Sequence, residues 1–122
     1  MAKILIVEPD ESTRDAIRAL LELEDHLVTG VANAGSALLE IERNIPDLVL
    51  TELYMEGMDG LELIRACRRQ WPGLRILSMT LGARPGATDT IQIAKLLGAS
   101  AFLDKPLLDD RVVDAVDVAL AS

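Results

Sequence analysis

Ile4-Leu5-Ile6-Val7 decides the fold. Four consecutive aliphatic residues are too few for a helix and too continuous for a strand with one wet face. They read as a strand covered on both sides. Such strands pair in parallel, and parallel pairing needs crossover connections, usually helices. The next residues supply one. Ser12 to Glu24 places Ile17, Leu20 and Leu21 on one face, with Arg14, Asp15, Arg18 and Glu22 elsewhere. The alternation then repeats. Leu27-Val28-Thr29 with Val31 is a weaker strand, and Asn33 caps a helix with Ala34, Ala37, Leu38 and Ile41 on one stripe. Pro46 closes that helical region, and Asp47-Leu48-Val49-Leu50-Thr51 is a second buried run. Glu52 to Asp59 reads as a loop, and Gly60 opens a helix bearing Leu63, Ile64, Cys67 and Trp71 that ends at Pro72-Gly73. Arg75 to Met79 is a third strong strand, followed by a loop from Leu81 and a helix over Thr88 to Leu97. Gly98 stands where a helix terminus favours positive φ. Ala101-Phe102-Leu103 is the last strand, and Asp109 or Asp110 is expected to cap a final helix with Val112, Val113, Val116, Ala119 and Leu120 inward.

Five strand–helix units fill the 122 residues, which predicts one domain over residues 1–122. The class is α/β: a five-stranded, parallel, doubly wound sheet between two helical layers, with right-handed crossovers. The only aromatics are Tyr54, Trp71 and Phe102, so the core must be aliphatic. A formal charge of −8 disfavours direct nucleic-acid binding, which needs Lys and Arg to displace counterions from phosphates. It equally disfavours docking on an anionic membrane. Cys67 is the single cysteine and has no internal disulfide partner. Met1-Ala2-Lys3 runs straight into a strand without the layout of a signal peptide, and no apolar run is long enough to span a bilayer. Together these predict a cytoplasmic protein.

In open parallel sheets, ligands and chemistry sit beyond the carboxyl ends of the strands. Those ends offer Glu8-Pro9-Asp10, Glu52, Thr80 and Lys105-Pro106. Carboxylates facing a lysine and a hydroxyl can serve a hard cation, a phosphoryl group, or simply an ion pair. Other residues have plain structural readings. Cys67 is a small core residue, His26 stands alone at a strand start with no metal set, Met55 and Met58 pack locally, and Trp71 lids the core.

At these strand ends the chain resembles the receiver (CheY-like) domain of bacterial two-component response regulators. The resemblance rests on Ile4-Leu5-Ile6-Val7 with acids after it, Pro46 to Leu50, Met58-Asp59-Gly60-Leu61-Glu62-Leu63-Ile64, and Gly98 to Pro106 with its Lys105-Pro106. It covers nearly the full length. It implies the flavodoxin-like fold already reached from the pattern. It also implies a function: accepting a phosphoryl group from a histidine kinase onto an aspartate, with Mg²⁺, to bias a face made by the fourth helix, fifth strand and fifth helix. Thr80 and Phe102 match the family's switch residues, and Lys105 matches its lysine. The acidic pair falls on Glu8 and Pro9, so Pro9 removes a carboxylate that normally holds the metal. The phosphoacceptor position falls on Glu52. Leu81 replaces a usual small residue, and the loop carrying Arg84-Pro85-Gly86 looks longer than typical.

These departures strike acceptor and metal together. Glu52 carries its carboxylate on one more methylene, and a misplacement of order 1 Å can cost phosphoryl transfer about 10²-fold. Glu8, Asp10 and Glu52 are the weak metal candidates, with Asp10 one residue too far along the chain, so no cofactor is expected and Mg²⁺ is doubtful. Asp47, at the wrong end of its strand, and Asp59, in the loop, are poor replacement acceptors. The expectation is a non-enzymatic pseudo-receiver signalling through protein contacts on the fourth-helix, fifth-strand, fifth-helix face. Its partner would be a histidine kinase, an output domain or a second copy in a homodimer. Glu52 could reach Lys105 or the Thr80 hydroxyl and imitate the phosphorylated state, or merely satisfy a salt bridge. The alternative is a working phosphoacceptor response regulator in a phosphorelay. A phosphatase of the aspartate-nucleophile type would want Asp-x-Asp where Glu8-Pro9-Asp10 stands, and a flavin binder would want a Ser/Thr-rich loop there and more aromatics.

Overall fold

The computed structural model describes residues 1–122. Five strands and five helices alternate as β1 (Lys3–Val7), α1 (Glu11–Leu23), β2 (Leu27–Val31), α2 (Ala34–Arg43), β3 (Leu48–Glu52), α3 (Gly60–Gln70), β4 (Arg75–Thr80), α4 (Ala87–Leu96), β5 (Ala101–Asp104) and α5 (Asp109–Leu120). The strands form one sheet in the order β2-β1-β3-β4-β5, with every neighbouring pair parallel. This is the predicted doubly wound α/β class. No helix is long and apolar enough to cross a membrane.

The two-residue period of a strand sends alternate side chains to opposite faces, and it sorts the core into two clusters. Ile4 and Ile6 of β1, Leu48 and Leu50 of β3, Leu77 and Met79 of β4, and Leu103 of β5 pack with Ile17 and Leu21 of α1 and Val112, Val116 and Ala119 of α5. Leu5 and Val7, Val49 and Ile76 take the other face, under α2, α3 and α4. Both central runs are buried throughout, as continuous apolar strands must be.

Local capping agrees with the sequence except at the last helix. Asp10, Asn33 and Asp59 each cap their helix by accepting from a backbone N–H in the first turn. Neither Asp109 nor Asp110 caps α5. Leu108 holds the cap position without a side-chain bond, and both aspartates lie inside the first turn. There they still oppose the positive end of the helix dipole, so charge near the terminus replaces the cap. Asp47 precedes β3 rather than opening it, and its carboxylate accepts from the Lys3 amide at 2.8 Å. Glu52 belongs to β3, paired with Met79, where the sequence reads as loop. Of the two loop methionines, Met55 packs on the core and Met58 is 37% exposed, so only one packs as expected. His26 accepts from the Ala2 amide through Nδ1. Gly98 has φ of 97°, as its terminal position predicts.

Candidate functional site

Three inward rows of the α1/α5 face run on past their apolar residues into charged ones. Ile4 and Ile6 lead to Glu8, Leu48 and Leu50 to Glu52, and Leu103 to Lys105. The alternation that buries these leucines and isoleucines therefore also brings two carboxylates and one ammonium together at the carboxyl edge of the sheet. Glu8 is 2% exposed and Glu52 7%. A charge that deep must be paired, and both are. Lys105 Nζ donates to Glu8 Oε1 at 2.5 Å and to Glu52 Oε1 at 2.6 Å.

The remaining oxygens are also occupied. Glu8 Oε2 accepts from the Asp10 amide at 3.0 Å, and Glu52 Oε2 folds back to accept from the amides of Leu53 and Tyr54 at 2.7 and 3.0 Å. Each of the four carboxylate oxygens thus has a donor. Burial pulls Lys105 toward the neutral form, but its hydrogen bonds to Glu52 and Glu8 and their negative charge outweigh this. Its pKa is held above the ordinary lysine value.

Asp10 turns away from this cluster. Its Oδ2 accepts from the Thr13 hydroxyl at 2.6 Å and the Thr13 amide at 2.8 Å, and those bonds, the hydroxyl's first, lower its pKa. Pro9 offers no donor side chain and is exposed. Arg14 reaches over Gly30 to donate to the Glu8 carbonyl at 2.8 Å. A divalent cation with octahedral demands does not fit this donor set as it stands. The two inward carboxylates are committed to Lys105 and to backbone amides, and the third carboxylate caps a helix.

By the same strand alternation Thr80 and Phe102 fall on the opposite face, toward α4. Thr80 is 1% exposed, and what it gives the site is its carbonyl, which accepts from the Lys105 amide at 2.9 Å. Of the two partners expected for Glu52, the lysine is engaged and the Thr80 hydroxyl is not. Phe102 is half-buried on the edge strand and joins neither core cluster.

Three features escape sequence reasoning. Asp104, beside Lys105, accepts from the Gly82 amide at 2.7 Å and so ties the β4–α4 loop to the end of β5. A Cβ at residue 82 would stand 2.9 Å from that carboxylate, which is the only trace this contact leaves in the sequence. Tyr54 lies under the Arg84 guanidinium, 4.2 Å from its centroid, and its hydroxyl bonds Thr90 Oγ1 at 2.9 Å. A cleft of about 290 Å³ opens between α1 and α5 beside Lys105, with Ile17, Leu20, Leu107 and Val112 in its wall.

Residues 4–117 match the family described as response regulator receiver domain. Among curated proteins, the chain is 36% identical over 115 residues to the response regulator protein FleR of Pseudomonas aeruginosa, covering 94% of this chain and 24% of FleR. It is 33% identical over 114 residues to sporulation initiation phosphotransferase F of Bacillus subtilis, covering 93% of this chain and 90% of that protein. Among solved structures, the receiver domain of NtrX from Brucella abortus superposes with a TM-score of 0.91 at 30% identity over 98% of both chains. Chemotaxis response regulator CheY4 of Vibrio cholerae does so with 0.89 at 26% identity over 98% of both.

Proposed function

This chain belongs to the response regulator receiver domain family, and from that premise we propose that it is a pseudo-receiver: a signalling domain in which Glu52 stands in place of the phosphoacceptor aspartate. One observation carries the reading. The Lys105 ammonium already bridges Glu8 and Glu52, and the other oxygen of Glu52 is taken by the Leu53 and Tyr54 amides. Three of the four lone-pair sites of the Glu52 carboxylate are thus occupied, and the one left is on the oxygen pinned to Lys105. Pro9 and the helix-capping role of Asp10 remove the further carboxylates that a metal would need. Lys105 does the neutralising that a divalent ion would otherwise do, so the domain needs no Mg²⁺.

Output runs through protein contacts on the face made by α4, β5 and α5. What supports this is exposed apolar surface: Leu96 is 87% and Ile93 39% exposed on α4, and Phe102 is only half-buried on the edge strand. The partner is a histidine kinase, an output domain or a second copy of the chain, and the domain itself catalyses nothing. The Glu52–Lys105 pair biases this surface rather than fixing it. An ion pair at 4 Å is worth about 4 kcal/mol at an effective dielectric of 20, before desolvation. Driving a switch from 1:99 to 99:1 takes about 5.5 kcal/mol.

The test is incubation with acetyl phosphate and Mg²⁺, read by intact mass. No adduct is expected on the parent chain. A stoichiometric phosphoryl adduct on Glu52 would overturn the reading and make the domain a working phosphoacceptor in a phosphorelay.

A further inference from the structure

Helix α4 is held in an unusual way. Of its ten residues only Ala87 and Ala94 are buried, so it presents little apolar area to the sheet. Thr88, Thr90, Ile91 and Ile93 are β-branched, which gives it little intrinsic helix preference either. Side chains from outside fix both its ends. At the carboxyl end, Arg68 of α3 donates from Nε to the Leu97 carbonyl at 2.9 Å and from Nη2 to the Gly98 carbonyl at 3.3 Å. At the amino end, the Tyr54 hydroxyl bonds Thr90 Oγ1, and Thr90 Oγ1 in turn bonds the Gly86 carbonyl at 3.2 Å. The Tyr54 ring carries the Arg84 guanidinium of the preceding loop. A helix with so little buried area is positioned by those polar clamps, and the amino-terminal one begins two residues after Glu52.

The same two residues join the faces of the sheet. Glu8, Glu52 and Lys105 continue the α1/α5 side, whereas α4 packs on the other. Glu52 Oε2 accepts from the Tyr54 amide, and Tyr54 reaches across to Thr90. The route through Thr80 has no comparable bond, since its link to Lys105 is made by the backbone. We propose that Tyr54 is a positioning residue that couples the carboxylate of Glu52 to the amino-terminal half of α4, through the Tyr54–Thr90 hydrogen bond. Any change at residue 52 that releases its carboxylate from the Tyr54 amide shifts the Tyr54 backbone, then the hydroxyl, then the first turns of α4. The proposal deepens the switch reading and rests on it, with Glu52 and the α4 surface as the two ends.

The test uses amide chemical shifts of the full chain. Glu52→Met, of similar length but with no carboxylate oxygen, releases the Tyr54 amide. It is expected to move the amides of Thr90, Ile91 and Ile93 as well as those of Tyr54 and Lys105. In Tyr54→Phe, which keeps the ring over Arg84, and in Thr90→Val, the response of α4 to Glu52→Met falls to the level of distant residues. The response at Lys105 persists. The two variants together remove no more of this response than either alone, because each deletes the Tyr54–Thr90 bond that carries it. A Thr80→Val background leaves the α4 response intact. Full α4 responses in Tyr54→Phe and Thr90→Val would overturn the proposal and leave the switch reading standing. No α4 response in the parent chain would overturn both. Both variants are near-isosteric and leave the two apolar clusters untouched, so folding is preserved for the comparison.

Discussion

Replacing Lys105 with methionine removes the only cation paired with the carboxylates of Glu8 and Glu52. The two side chains are 3% and 9% exposed and keep only backbone N–H donors. Deleting one partner of a buried ion pair costs about 3–5 kcal/mol, because an uncompensated charge is left behind. Lys105 itself is 21% exposed, so water reaches the gap and the lower figure applies. A loss of about 3 kcal/mol, with a urea slope of about 2 kcal/mol/M, moves the midpoint down by about 1.5 M. At about 2.1 cal/mol/K per residue over 122 residues, it lowers Tm by about 12 °C. Removing the stranded charges identifies the cause. Substituting Glu8→Gln and Glu52→Gln in the same chain recovers most of the loss. Urea titrations of the three chains decide the matter. A Lys105→Met variant within about 0.5 kcal/mol of the parent, or a triple variant that recovers none of the loss, would refute the argument and reduce the cluster to an ordinary solvated salt bridge.

At the alkaline end, Lys105 has a folded pKa raised above the ordinary lysine value of 10.5 by its bonds to Glu52 and Glu8. Its stabilisation is fully present below about pH 10.5 and is lost as pH rises through the folded value, so parent and Lys105→Met converge in thermal melts only above that range. Gly60→Ala puts a Cβ 2.4 Å from the Glu52 carbonyl oxygen and 2.6 Å from the Leu53 Cα. Helix propensity alone favours alanine by about 1 kcal/mol, yet the clash costs about 3 kcal/mol, so denaturant titration should show a net loss. Cys67 is fully buried and burial pushes its thiol up to about 11. It should resist a thiol reagent at pH 8 in the folded chain and react rapidly in denaturant, as a colorimetric thiol assay will register.

The strands were legible because burial on both faces leaves a plain mark: Ile4 to Val7 and Leu48 to Leu50 carry no polar residue. The α1 stripe of Ile17 and Leu21 was legible for the same reason, by helical spacing. The charged cluster was half legible. Glu8, Glu52 and Lys105 stand at strand ends, and their common parity with Ile6, Leu50 and Leu103 puts them on one face. What parity does not reveal is which oxygen meets which donor, and Asp10 shows why. One residue off the parity, it is spent on Thr13. The Tyr54–Thr90 bond joins a loop to a helix 36 residues away, and no local period links such positions. The α5 cap was misread because two adjacent aspartates fit the cap and the first turn equally well. Chain geometry, which gave the cap to Leu108, settled it.

The departures at the site are coupled rather than independent. Glu8 and Glu52 with Lys105 carry a net charge of −1, whereas an acid in place of Pro9, at the exposed rim of the cluster, would make it −2. Three carboxylates around one ammonium leave an excess that a divalent ion held among them would compensate. With Pro9, one ammonium nearly suffices, provided a single lysine can touch both carboxylates. The extra methylene of Glu52 makes this contact compatible with the backbone. It lets Oε1 reach Lys105 while Oε2 turns back to the Leu53 and Tyr54 amides. An aspartate has one methylene less with which to reach both sets of donors, so it is less able to hold the lysine and the loop at once. Glu52→Asp alone should therefore loosen the Lys105 bridge without creating a metal site, because Pro9 still withholds the third carboxylate. Only Glu52→Asp together with Pro9→Asp should bind Mg²⁺ and take a phosphoryl group from acetyl phosphate. An adduct on the single Glu52→Asp variant, as strong as on the double, would show that Pro9 does not limit phosphoryl transfer to residue 52.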